Sequence, residues 1–179
     1  MKNIFLVCLL LIMTTNSAQI KMLTKTGKIV FEASIPSFEE VKAKNEGVAC
    51  VLNIKTGEIA ILAQIKEFRF KVALMEEHFN QNYINSDRYP KAIFKGKLEN
   101  FKKSDLSSKE RDYYIKGKLE LHGKTQKKDI LAKIRNKNDG IEIVSNFTIN
   151  SEDFNIYIPP IVKNKVSNIV NVRTELFIK

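Results

Sequence analysis

The side chains that could carry metal or acid–base chemistry are few and widely spaced. His78 and His122 are the only two histidines of the chain, whereas a zinc site normally takes three or four ligands at close spacing. Glu76 and Glu77 are adjacent, so on a helix they would point in different directions and would not form a carboxylate pair. No nucleophile elbow or phosphate-cradling glycine loop occurs in the sequence. These observations predict no catalytic residue, no metal and no resident cofactor, and thus a protein that is not an enzyme.

The net charge of +10 is the next candidate for a function. It arises from 30 Lys and Arg against 20 Asp and Glu in 179 residues. The cations are scattered and are not interleaved with aromatic residues, as a groove for single-stranded nucleic acid requires. We therefore expect no nucleic-acid partner, and a transient contact with an anionic membrane is the milder use of this charge.

The first 18 residues have the organisation of a secretory signal. A basic start precedes an apolar run over residues 4–13, and a small-residue exit ends at Ala18. We expect residues 1–18 to be removed, residues 19–179 to form one domain, and the protein to be periplasmic or secreted. Cys50 would then be the only remaining cysteine, which excludes an internal disulfide.

Apolar residues alternate with polar ones over most of the remaining chain, a pattern typical of strands with one buried face. A tight turn at residues 55–58 and another at 136–140 make neighbouring strands antiparallel. The pattern predicts a mainly β fold, an eight-stranded antiparallel barrel with one helix, 72–83, near an end. A second, weaker helical turn is expected over 38–45. The eight segments are 29–35, 50–54, 59–65, 92–98, 113–121, 130–134, 141–149 and 166–178.

The inward face of this barrel includes several small residues, among them Ala33, Ala63, Gly96, Gly117 and Ser145. Small residues favour a cavity for one ligand, while a packed interior stays open as the alternative. An apolar cavity would bind a long hydrocarbon chain, because burial favours each methylene by about 0.8 kcal/mol. A polar head would stay at the mouth, where Arg69, Lys71, His78 or Arg88 could meet an anionic group.

Three longer motifs resemble the YceI family. They are FRFKVALMEEHFN at 68–80, YPKAIFKG at 89–96 and GKLELHGKT at 117–125. The resemblance spans nearly all of the chain after residue 18. It implies a secreted or periplasmic protein with an extended, lipocalin-like barrel that holds a polyisoprenoid or a similar amphiphile in an internal tunnel.

The predicted function is therefore the non-enzymatic binding, transport or storage of a long-chain amphiphile, such as a polyisoprenoid, a quinone-like lipid or a fatty-acyl lipid. The residues predicted to line or gate the cavity are Phe31, Ile61, Phe70, Leu74, Phe79, Phe94, Leu119 and Phe147. Phe70 and Leu74 could instead only dock the helix. A stress-response or protein-interaction module with a filled barrel remains the first alternative, and an enzyme acting on an isoprenoid the second. The oligomeric state stays open, with a homodimer among the options.

Overall fold

Eight long antiparallel strands pair in a ring in the computed structural model, which describes residues 21–179. The predicted signal segment, residues 1–18, lies outside the described residues. The strands are β1 (Lys21–Ser34), β2 (Lys42–Asn53), β3 (Glu58–Gln64), β4 (Arg69–Phe70), β5 (Lys91–Leu98), β6 (Arg111–Leu121), β7 (Lys124–Lys137), β8 (Gly140–Asn150) and β9 (Val166–Ile178). One helix, α1 (Ala73–His78), continues into a π-helical turn over Phe79–Tyr83.

The ring closes because β1 pairs with strands on both of its sides. Around the barrel the order is β1-β9-β8-β7-β6-β5-β3-β2, and the β1–β2 pairing completes it. Strand β4 has only two residues and adds to β2, with Phe70 opposite Ala43. The eight-stranded antiparallel barrel with one helix is therefore confirmed. Closure leaves no long strand with a free edge.

The period-two pattern accounts for which side chains enter the barrel. On β7, Ile130, Ala132 and Ile134 are buried, while Leu131 and Lys133 between them are exposed. Adjacent residues of a strand point to opposite faces, so one apolar face of each strand supplies the interior. Within residues 21–179, no helix is both long enough and apolar enough to cross a membrane.

The helical turn expected over residues 38–45 is wrong. Strand β2 begins at Lys42, and both Ala43 and Asn45 are buried. The pairing of β1 with β2 shifts register at Gly27, which lies opposite Val48. The inward positions of β2 are therefore odd-numbered before this point and even-numbered after it, and the sequence loses its period of two there. Asn45 satisfies its buried amide by donating to the Gln64 carbonyl at 3.0 Å and accepting from the Gly47 amide at 2.8 Å.

One end of the barrel is filled with side chains. Leu52, Leu98, Ile134 and Ile178 are all buried there. The loop between β5 and β6 packs over this end through Leu106, which is also buried. Phe101 of the same loop lies edge-on to Tyr113, with ring centroids 5.7 Å apart. The β5–β6 loop, which contains Lys102, Lys103 and Lys109, thus belongs to the closed end of the barrel, away from α1.

The outer face of the β7–β8 hairpin carries an ion-pair network centred on Glu142. Glu142 on β8 accepts hydrogen bonds from Lys137 and Arg135 on β7. The hydrogen bond from Lys137, with that from Arg135, holds the pKa of Glu142 below its ordinary value of 4.5, although partial burial opposes the shift. A lowered pKa in the folded state means that the ionised carboxylate stabilises the fold.

We therefore expect Glu142→Gln to lower the free energy of unfolding at pH 7 by a few tenths to about 1 kcal/mol. This loss should shrink as the pH falls below 4.5 toward the lowered pKa of Glu142, because the wild-type carboxyl then also becomes neutral. Denaturant unfolding at several pH values measures the difference. Glu120→Gln, at an exposed site with no ion pair among residues 21–179, is the control. A loss that stays constant down to pH 3 would contradict this assignment.

Candidate functional site

The half of the barrel nearest α1 is hollow. It encloses a cavity of about 390 Å³, which lies within the range of about 300–1,000 Å³ typical of ligand pockets. Along β9 the lining extends from Val166 to Leu176, roughly 33 Å of strand at about 3.3 Å per residue. The innermost wall is made by buried side chains of β6, β7, β8 and β9, namely Ile115, Ile130, Ile143 and Leu176.

The cavity ends blindly inside the barrel and opens beside α1. The side chains that fill the far end, such as Leu52 and Ile134, do not contribute to its lining. At the other end the lining includes the exposed residues Phe38, Glu39 and Lys165. Phe38 and Glu39 belong to the β1–β2 connection, and Lys165 directly precedes β9. These residues form the mouth of the cavity.

Four phenylalanines make the wall between the cavity and α1. Phe31 of β1 has its ring centroid 5.2 Å from that of Phe68, 5.7 Å from that of Phe70 and 5.4 Å from that of Phe79. Phe70 and Phe79 are themselves 5.2 Å apart. These spacings lie in the range of favourable tilted and edge-to-face aromatic pairs. The cluster both attaches the helical segment to the barrel and presents ring surface to the cavity.

The helical segment directs one face toward the cavity. Met75, His78 and Phe79 line it, and their spacing of three and four residues places them on one side of the helix. Leu74 needs correction: it does not line the cavity, and 58% of its side chain is exposed. One residue before Met75, it is turned by about 100° away from the inward face of the helix.

The other seven predicted residues do meet at the cavity. Their positions come from seven different segments of the chain, which the barrel brings together, and all seven are buried or half-buried. They are Phe31, Ile61, Phe70, Phe79, Phe94, Leu119 and Phe147. Their contact with a ligand stays a prediction. Phe68 belongs to the same wall but follows a 3₁₀ turn at Ile65–Glu67, so strand alternation did not reveal it.

Only some of the small inward-facing residues line the cavity. Ala33, Ala63 and Ser145 line it, whereas Gly96 and Gly117 do not. The two glycines lie opposite each other on β5 and β6. A Cβ at Gly117 would lie 2.5 Å from Phe94 Cζ, so the absent side chain accommodates the Phe94 ring. These glycines therefore shape a wall of the cavity by holding one of its aromatic residues.

Charge is confined to the mouth. Among the four residues expected to meet an anionic head, only His78 lines the cavity. Arg69 is instead paired with Glu76 at 2.8 Å, which withdraws its charge from the opening. Arg88 lies over the ring of Tyr89, 5.3 Å from its centroid. Lys165, absent from the sequence-based expectation, is the lysine that lines the mouth.

The second histidine and the cysteine have structural surroundings. His122 lies in the β6–β7 turn with a φ of 50°, and its Nδ1 is 2.9 Å from the Phe154 carbonyl oxygen. Burial raises the pKa of the Cys50 thiol to about 12, so this thiol is not a reactive thiolate at neutral pH. No three His, Cys, Asp or Glu side chains within residues 21–179 are grouped as a metal site would require.

A closed antiparallel barrel with a blind apolar cavity defines a lipocalin-like binding protein architecture. A family model described as a YceI-like domain matches residues 16–177. The chain therefore belongs to the YceI-like family, and the resemblance of its motifs is confirmed. A comparison with curated proteins finds no match.

Solved structures share this fold at low sequence identity. A polyisoprenoid-binding domain from Saccharophagus degradans, implicated in plant cell wall breakdown, has a TM-score of 0.78 at 14% identity, over 89% of this chain and 97% of that chain. BcnA from Burkholderia cenocepacia has a TM-score of 0.69 at 12% identity, over 85% and 96%. A mutant YceI protein from Campylobacter jejuni with a monobromobimane guest has a TM-score of 0.63 at 16% identity, over 80% and 86%.

The contact between Gly117 and Phe94 leads to a test of the cavity wall. Gly117→Ala should destabilise the barrel by about 1–3 kcal/mol, because the new Cβ would lie 2.5 Å from the Phe94 ring and 2.6 Å from the Lys95 carbonyl oxygen. Gly47→Ala is the control, since the close contact of its Cβ would be with the movable carboxylate of Glu67, and Asn45 Oδ1 would lie at an ordinary 3.6 Å. Thermal unfolding of both variants compares them, and equal stabilities would contradict a tightly packed wall at Gly117.

Proposed function

We propose that this protein is a carrier or storage protein that holds a long-chain amphiphile in the barrel cavity and catalyses no reaction. The observation that carries the proposal is the blind, apolar cavity of about 390 Å³. Burial of a hydrocarbon chain there is favoured by about 0.8 kcal/mol per methylene. A charged group placed among the deep lining residues would lose its hydration without gaining a partner.

The related structures support the same ligand class. One of them is a polyisoprenoid-binding domain. Among the ligands considered for this chain, a polyisoprenoid, a quinone-like lipid and a fatty-acyl lipid all supply the required hydrocarbon. The alternative of an interaction or stress-response module with a filled barrel predicts no such cavity. An enzyme acting on an isoprenoid would need clustered charged groups beside its substrate, whereas Glu39, His78 and Lys165 lie apart from the innermost wall. The polar groups near that wall are the uncharged hydroxyls of Ser145 and Thr174.

We further propose that the mouth loads its ligand at an anionic membrane of the periplasm or cell surface. Five of the nine large apolar side chains exposed within residues 21–179 lie in segments next to the mouth: Phe38, Leu74, Tyr157, Ile161 and Ile169. Ile161 is 85% exposed, the highest value of this set. The other four form two cross-strand pairs on the barrel wall, Leu23 with Val51 and Tyr114 with Leu131.

Cations accompany this apolar rim. Lys163 and Lys165 lie two and four residues after Ile161, and neither forms an ion pair with the residues that the structure describes. A lysine near an anionic bilayer contributes about 1 kcal/mol of attraction. An exposed apolar tip beside free lysines at the opening of a lipid-sized cavity is the arrangement that membrane loading requires.

Ligand capture can be tested by native mass spectrometry of protein purified without detergent, followed by organic extraction. We expect a hydrophobic adduct on the wild-type protein. Leu119→Glu should lose it, because a carboxylate in the apolar lining costs several kcal/mol when unpaired. Leu131→Glu places the same charge on the outer face of the adjacent strand and should keep the adduct.

Ala92→Phe provides a second variant if Leu119→Glu does not fold, since it fills lining space without adding charge. Circular dichroism checks the folding of each variant. A clean apo mass of the wild-type protein, unchanged after incubation with isoprenoid and quinone lipids, would overturn the carrier proposal and favour an interaction module.

Membrane loading predicts a salt-sensitive association with vesicles that contain phosphatidylglycerol. Replacing Lys163 and Lys165 by Glu should weaken co-sedimentation about tenfold or more at low salt, given about 1 kcal/mol per cation and the repulsion added by each Glu. Replacing Lys55 and Lys103 by Glu, at the closed end of the barrel, gives the same change in net charge and should have little effect. Equal losses in both double variants would show that only net charge matters and would contradict a membrane-binding mouth.

A further inference from the structure

The cavity wall contains a pair of hydroxyl groups that no part of the proposed function uses. Ser145 on β8 and Thr174 on β9 lie directly opposite each other, and their side-chain oxygens are 2.6 Å apart. Both residues line the cavity, and they are only 5% and 4% exposed. Leu176, which belongs to the innermost wall, lies two residues after Thr174 on the same strand. The pair therefore lies near the blind end.

The hydroxyl pair has hydrogen-bonding capacity to spare. Each hydroxyl supplies one hydrogen and can accept two hydrogen bonds. The single bond between Ser145 and Thr174 consumes one hydrogen, and neither side chain has another hydrogen-bond partner within residues 21–179. A second hydrogen and several lone pairs are thus left in an otherwise apolar region, where an unsatisfied donor is costly.

A third hydroxyl on the same wall has no hydrogen-bond partner among residues 21–179. Ser151, directly after β8, lines the cavity and is 4% exposed, and its Oγ has no hydrogen bond to the described residues. It lies six positions from Ser145, roughly 20 Å along an extended chain. Buried hydroxyls normally find a partner. The Ser145–Thr174 pair and Ser151 therefore leave hydrogen-bonding capacity unused at two positions of the cavity wall. This unused capacity points to a ligand that carries oxygen.

We infer that the Ser145–Thr174 pair binds an uncharged oxygen, a hydroxyl or a ketone, at the inner end of the bound chain. This inference rests on the proposed carrier function and specifies the chemistry of its ligand. The oxygen is neutral because the charged lining residues, Glu39 and Lys165, lie at the mouth, so a carboxylate or phosphate at the blind end would stay unpaired. The ligand enters with its neutral polar end first, whereas the sequence predicted a polar head at the mouth.

The test compares probes of equal chain length: an n-alkane, a primary alcohol, a methyl ketone and a carboxylate, each titrated into the intact protein and followed by native mass spectrometry. The wild-type protein should bind the alcohol and the ketone roughly threefold to tenfold more tightly than the alkane, as expected for one added hydrogen bond. Charge should make the carboxylate weaker than the alcohol.

Ser145→Ala with Thr174→Val removes both hydroxyls while keeping the shape of the wall. This variant should lose the preference for the alcohol and the ketone and should bind the alkane at least as well as the wild-type protein. Ser167→Ala is the matched control, because the Ser167 hydroxyl lines the mouth but is already hydrogen-bonded to the backbone of Ile169. The preference of the control should remain unchanged.

The outcomes separate this inference from the proposed function. Failure of all four probes to bind the wild-type protein would overturn both. Binding of the alkane and the alcohol with equal affinity would overturn the hydroxyl site alone and leave the carrier function in place. A preference for the alcohol that survives in the double variant would also overturn the site. The wild-type comparison decides the matter even if the double variant does not fold.

Discussion

The pairing of β1 with β2 is the constraint on which the rest of the molecule depends. It joins the two ends of an eight-stranded sheet, so that every long strand has two neighbours and one face of each strand points inward. An eight-stranded ring is just wide enough for side chains to fill it or for one small ligand to replace some of them. In this barrel, Ile134 and its neighbours fill one end, and the cavity occupies the other. The register shift at Gly27 lies within this closing pair.

Most of the barrel could be predicted because strand alternation is a local signal. Each of the eight predicted segments overlaps a long strand of the barrel. The first residues of β2, 42–45, could not be predicted in this way. Their inward positions change parity beside a register shift, and the buried amide of Asn45 interrupts the apolar pattern. Asn45 donates to the carbonyl of Gln64, 19 residues away, and so distant a partner leaves no local sign of burial in the sequence.

The candidate site was harder to predict because its wall joins strands to irregular segments. Phe31 and Phe147 follow from alternation alone, and Phe79 from helical spacing. Phe68 does not, since it lies after a 3₁₀ turn and faces inward only because β4 attaches to β2. The orientation of Leu74 depended on which face of α1 meets the barrel, and that is decided by the phenylalanine cluster. Even a correct set of apolar residues left open whether Gly117 provides space for a ligand or for the Phe94 ring.

Charge and polarity change from the exterior of the barrel to the blind end of the cavity. The exterior carries the net charge of +10, and the mouth adds Lys165 and Glu39 to an apolar rim. Further in, the lining is mostly hydrocarbon and includes the hydroxyl of Ser151, and near the blind end it offers the neutral hydroxyls of Ser145 and Thr174. A hydrocarbon chain gains free energy along this whole path, whereas an ionised group would lose its solvation before reaching any partner. Under the proposed carrier function, the barrel would meet a charged membrane with its rim and admit only the uncharged part of a lipid.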